Sequence, residues 1–124
     1  MQEKKLSDLT VKRAVVNNVH MIIASGECDL FSVPLLKDEM TEVINEGHKK
    51  LIVDVKSLKY IDSSGLAAIL WARHKIEETG GSLVMISNTE RLGRMLRPIG
   101  NLLSVTSSIK EALKLLNKRS LSSA

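Results

Sequence analysis

A single Phe, a single Tyr and a single Trp in 124 residues leave the core to Leu, Ile, Val, Met and Ala. The same scarcity denies the chain the aromatic platforms on which single-stranded bases stack. With only one cysteine, Cys28, no disulfide can form within the chain, which fits a reducing compartment. No apolar run approaches the ~20 residues of a membrane-spanning helix, and the opening MQEKKLSDL holds no hydrophobic signal region. The expected location is the cytoplasm, without membrane association. His20, His48 and His74 stand in separate segments with no i, i+4 pairing, so neither they nor Cys28 form a metal-binding motif. G-x-x-x-x-G-K-[ST], G-x-G-x-x-G and G-x-S-x-G are all missing, which removes the common phosphate-binding loops and the nucleophile elbow of hydrolases. No cofactor, no metal and no enzymatic activity are expected.

What remains is an ordinary globular composition with a basic balance. A chain of this length suits one domain with one core. The formal net charge of +4 raises the question of nucleic acid, but the basic residues are scattered as Lys12-Arg13, Lys49-Lys50, Arg91/Arg94/Arg97 and Lys114/Lys118/Arg119. Spread over different elements, they read as solvated surface and not as a groove-reading motif.

Apolar periodicity alternates between strand and helix. Leu9 to Val16 and Val19 to Ala24 read as strands joined at Asn17-Asn18, residues tolerant of positive φ. After a loop from Gly26 to Phe31, Ser32 is expected to cap a helix with an early Pro34, carried by Leu36, Met40, Val43 and Ile44 and ended by Gly47. A strand begins at Leu51. A helix to Thr79 follows, with Leu66, Ile69, Leu70, Arg73 and Ile76 on its buried side, then a strand over Ser82 to Ser87. Thr89 is expected to cap a short helix, Glu90 to Arg97, that Pro98 stops. Leu102 to Val105 is a last short strand, and Ser108 and Glu111 have capping-box spacing for a final helix. The predicted order β-β-α-β-α-β-α-β-α implies an α/β fold with a mixed, largely parallel sheet, an N-terminal hairpin and about four helices. The expected organisation is an N-terminal extension over 1–8, one domain over 9–116 and a disordered tail over 117–124.

The segment Leu51 to Leu66, LIVDVKSLKYIDSSGL, carries the clearest functional signal. A β-branched strand runs into Asp62-Ser63-Ser64-Gly65, and helical spacing starts at Leu66. Asp and Ser are the residue types that cap the free N–H groups of a first helical turn. A phosphoryl group on Ser63 would add about −1.5 to −2 charge at the positive end of a helix dipole, where it is well tolerated. Read alone, the tetrapeptide is first of all a plain helix cap, since caps are common and switch sites rare.

Its surroundings resemble a known family. The stretch SLKYIDSSGLAAILWARHKIEETGGSLVMIS is similar to the STAS domain of anti-sigma factor antagonists, with its D-S-[ST]-G-L turn, amphipathic helix and Gly-Gly before the next strand. Upstream, Gly26-Glu27-Cys28-Asp29 resembles the family's G-E-[LI]-[DN] turn, and the likeness extends from about Leu9 to Leu116. The resemblance implies a single STAS-like domain that binds an anti-sigma factor, itself a serine kinase, and so releases a sigma factor. It further implies that the kinase phosphorylates Ser63, which breaks the complex, and that a serine phosphatase restores the active form. Carried over by position, Ser63 is the acceptor, and Asp62, Ser64 and Gly65 complete the turn. Glu27 and Asp29 correspond to acidic loop residues that face the kinase. Cys28 departs from the aliphatic residue of that turn.

Trp71 is a separate inference from helical projection. It falls away from Leu66, Ile69, Leu70 and Ile76, among Ala67, Lys75 and Glu78, and is expected to be exposed as a partner anchor. Two other functional classes fit the same residues: a STAS scaffold or transport-complex subunit that is not phosphorylated, and a serine hydrolase using Ser63.

Overall fold

Asn17 and Asn18 both take positive φ, 50° and 65°, and join β2 (Leu9–Val16) to β3 (Val19–Cys28) in the hairpin that their sequence predicts. The computed structural model describes residues 3–87, 90–96 and 102–122. The chain continues through α1 (Val33–Asn45), β4 (Lys50–Ile61), α2 (Ser63–Glu78), β5 (Ser82–Ile86), α3 (Glu90–Leu96), β6 (Val105–Thr106) and α4 (Ile109–Ser122). Before the hairpin lies β1 (Glu3–Leu6), within the segment expected to be an extension. It pairs antiparallel with β2 and forms one edge of a six-stranded sheet ordered β1 to β6. From β3 onward all pairings are parallel.

The continuous apolar run of β4 follows from burial on both faces. Leu51, Val53 and Val55 pack with Leu36, Met40 and Val43 of α1, with Leu66, Ile69 and Ile76 of α2, and with Leu92 and Leu96 of α3. Ile52 points to the opposite face, against Val84, Ile86 and the Ala112 and Leu116 of α4. The α4 helix reaches Ser122, well into the stretch expected to fray: Leu113, Leu115 and Leu116 pack on the sheet, and beyond them Lys50 Nζ donates to the Asn117 side chain and Arg119 to the Ser104 hydroxyl. Its capping box is half formed. The Ser108 hydroxyl accepts from Glu111 N–H at 3.2 Å, while the Glu111 carboxylate takes its bonds from the N–H and hydroxyl of Ser107. The expected Thr89 cap and Pro98 stop lie outside the described residues.

Two glycines are fixed by geometry. Gly26 has φ +93°, and a Cβ there would lie 1.9 Å from the Asp8 carbonyl oxygen. It sits where the register of β3 against β4 shifts. At Gly81 a Cβ would meet the Lys49 carbonyl oxygen at 2.6 Å, so the second residue of the Gly-Gly pair lets α2 return closely to the sheet.

Candidate functional site

The ends of β3 and β4 lie side by side, with Glu27 opposite Tyr60 and Cys28 opposite Ile61. This register brings the loop after β3 and the Asp62-Ser63-Ser64-Gly65 turn together at the carboxyl end of the parallel strands. Ligand and partner sites of open α/β sheets form at that end.

Asp62 organises the turn. Its backbone is extended, and its Oδ1 accepts from the N–H of Ser64 at 3.0 Å and of Gly65 at 3.2 Å, capping α2 as its sequence position predicts. The Ser64 hydroxyl donates to the same oxygen, and the N–H of Leu30 faces the carboxylate from across the loop. The Ser64 hydroxyl is the main cause holding the Asp62 carboxyl below its ordinary value, with the three N–H groups reinforcing it against partial burial. In return, Asp62 N–H donates to the Cys28 carbonyl at 3.2 Å.

The two serines are thereby separated. Ser64 is half-buried and its hydroxyl is committed to Asp62, whereas Ser63 is exposed and its hydroxyl has no partner among the described residues. Gly65 is buried where α2 approaches the sheet. A Cβ there would lie 2.6 Å from Ile61 Cγ1 and 3.0 Å from Cys28 Sγ. Cys28 is wholly buried, and desolvation, then the charges of Asp62 and Asp29, push its thiol up to about 11. It is a packing residue under the turn, not a reactive thiol.

Of the loop acids, Glu27 is exposed and Asp29 is half-buried. Asp29 Oδ1 accepts from the N–H of Phe31 and of Ser32, each at 3.0 Å, and its carbonyl accepts from Val33 N–H at 2.8 Å. Asp29 therefore serves the start of α1, the task expected of Ser32. Ser32 makes no side-chain cap, because its backbone is already helical and its buried hydroxyl turns back toward the Glu27 carbonyl and Asp29.

Trp71 is not the exposed ring that projection predicts. It is half-buried, packs against the core shared with α1, and carries the Lys37 ammonium 4.6 Å from its ring centroid. The projection sees only the sheet-facing side of α2, while α1 lies alongside and covers a second face. The most exposed aromatic is Phe31, 81% accessible against 37% for Tyr60, and it stands beside Leu30 at 67%. Sequence reading places these two in a loop without weighting them. The available signal is two adjacent large apolar residues in a turn that has no helical or strand period.

The histidines stand away from Ser63. His20 and His48 stack at 3.5 Å beside Leu51, near the start of β4, roughly 30 Å from its Ile61 end at strand rise, and His74 lies three turns along α2. Among the described residues no histidine, cysteine and carboxylate group forms a metal-binding cluster, and no helix is long and apolar enough to cross a membrane.

The STAS domain family model matches residues 10–116. The anti-sigma-B factor antagonist of Bacillus subtilis is 32% identical over 79 residues, which span 64% of this chain and 71% of that protein. An anti-sigma factor antagonist from Mycobacterium paratuberculosis superposes with a TM-score of 0.80 at 18% identity, covering 88% of this chain and 94% of the other. The Bacillus cell fate determinant SpoIIAA, solved in its phosphorylated form, gives 0.66 at 18% identity, covering 84% and 96%. With its hairpin and parallel sheet, its Asp62-capped turn and a family match over nearly the whole folded region, the chain belongs to the STAS domain family.

Proposed function

We propose that this protein is an anti-sigma factor antagonist switched by phosphorylation of Ser63. The observation that carries this reading is the division of labour in the turn: Ser64 is locked on Asp62, and Ser63 alone offers a free, exposed hydroxyl at the first position of a capped helix. Its relatives named as anti-sigma-B factor antagonists, and a structural neighbour known in a phosphorylated form, support it.

Phosphoryl transfer requires mainly that the acceptor be held in line with the γ-phosphate. Here the cap fixes the turn, and the partner, a serine kinase that is also the anti-sigma factor, supplies ATP, metal and base. Ser63 Oγ attacks the γ-phosphorus, its proton passes to the partner's base, and ADP leaves. The product places about −1.5 to −2 charge beside Asp62 and against the acidic base and nucleotide phosphates that a kinase site must hold. Like charges then oppose the complex. A serine phosphatase reverses the step by hydrolysis. Reading Ser63 as a hydrolase nucleophile finds no support in the site, since no imidazole stands near it.

Phosphopeptide mapping after incubation with ATP and the kinase tests the assignment. Phosphate confined to the peptide's Ser63, and abolished by Ser63→Ala but not Ser64→Ala, is expected. Phosphate on Ser64, Ser57 or Ser120 to Ser123, or none at all, would overturn it.

A further inference from the structure

The only Phe of the chain is the most exposed large apolar side chain among the described residues, and its neighbour Leu30 is the next. In a free monomer these two gain nothing by facing water. Their outward direction is imposed by the backbone. The N–H groups of Phe31 and Ser32 both donate to Asp29 Oδ1 at 3.0 Å, and Asp29 N–H donates to the Ser32 hydroxyl at 3.0 Å, which closes the loop around the pair before any partner arrives. An apolar pair held in its bound conformation loses little entropy on docking.

The neighbouring turn indicates what covers the pair. Asp62 N–H donates to the Cys28 carbonyl at 3.2 Å, two residues before Leu30, so the loop borders the Ser63 turn and an enzyme that reaches the Ser63 hydroxyl lies over both. We propose that Leu30 and Phe31 are the apolar anchor by which this protein docks its anti-sigma factor, inserted into an apolar pocket of that partner. Exposed Glu27 belongs to the polar rim. The identity of the partner rests on the function proposed above; the anchor itself rests on the exposure and fixation of the two side chains. Binding energy and chemistry are thus separated within one surface. Phe31 supplies the affinity and Ser63 the switch.

The test is isothermal titration of the source organism's purified anti-sigma factor with wild type, Phe31→Ala, Leu30→Ala and Phe31→Leu, with the melting temperature and sedimentation mass of each. The expected result is wild-type binding, at least about thirtyfold weaker binding for Phe31→Ala, a smaller loss for Leu30→Ala and near-retention for Phe31→Leu, all at unchanged melting temperature. Wild-type binding with Phe31→Ala within threefold of it would overturn the anchor and leave the functional reading standing. No binding by the wild type would overturn both. A wild-type dimer that Phe31→Ala converts to monomer would show that the pair joins two copies of this chain, which also overturns the proposal.

Discussion

Asp62→Ala removes the acceptor for two backbone N–H groups, those of Ser64 and Gly65, and for the Ser64 hydroxyl. Loss of an N-cap typically costs about 1 kcal/mol and up to about 2. The expected loss is about 1–2 kcal/mol at pH 7, measured by urea unfolding. For a domain of this size that corresponds to a fall in melting temperature of about 3–10 °C. Asp62→Asn keeps an acceptor at the cap and should lose under about 1 kcal/mol. The pH dependence supplies an independent check. Because the folded carboxyl is held below its ordinary value of 3.8, chiefly by the Ser64 hydroxyl, the unfolded chain binds its proton more readily. The stabilisation is complete above the ordinary value and is lost as pH falls through the lower folded one, so wild type and Asp62→Asn should converge on acidification. An Asp62→Ala variant within about 0.5 kcal/mol of wild type at pH 7 would refute the reasoning, as would a gap to Asp62→Asn that persists unchanged in acid.

Gly65→Ala gains about 1 kcal/mol of helix propensity but places its Cβ 2.6 Å from Ile61 Cγ1. Overpacking of about 1–3 kcal/mol should win, and a stabilised variant in urea unfolding would show that Ile61 yields without strain. Trp71→Ala should destabilise by about 2 kcal/mol, roughly half the loss from a fully buried ring, because Trp71 packs against the α1 side of the core; a loss under about 0.5 kcal/mol would return the ring to solvent. Cys28, buried and with its thiol pushed up to about 11, should resist a thiol reagent at pH 8 until urea unfolds the chain, and labelling of native protein within minutes would contradict its placement.

Wherever one local signal decides the outcome, the sequence is sufficient. Asn17-Asn18 announces the hairpin, the β-branched run at Leu51 announces a strand buried on both faces, and Asp62 announces the cap of α2. The misreadings occur where a distant element decides. Ser32 has the right type for a cap, but Asp29, three residues earlier, accepts from the N–H groups of Phe31 and Ser32 ahead of the helix and draws the serine hydroxyl inward. Trp71 looks solvent-facing on a wheel drawn for α2 alone, and only the neighbouring α1 reveals its cover. Residues 3–6 carry too much charge to suggest a strand, yet an edge strand tolerates charge, and Lys4 finds Glu39 at 2.6 Å. The functional turn itself was legible through its residue types and their resemblance to a family motif. The adjacent Leu30-Phe31 pair was not, because a loop has no period against which an exposed residue stands out.

The affinity of the purified protein for its anti-sigma factor, measured before and after stoichiometric phosphorylation of Ser63, tests the central claim most directly. The unphosphorylated form should bind and displace the sigma factor, and phosphorylation should weaken binding at least tenfold, about 1.4 kcal/mol or more. Equal affinity of the two forms, or binding only by the phosphorylated one, would contradict the switch.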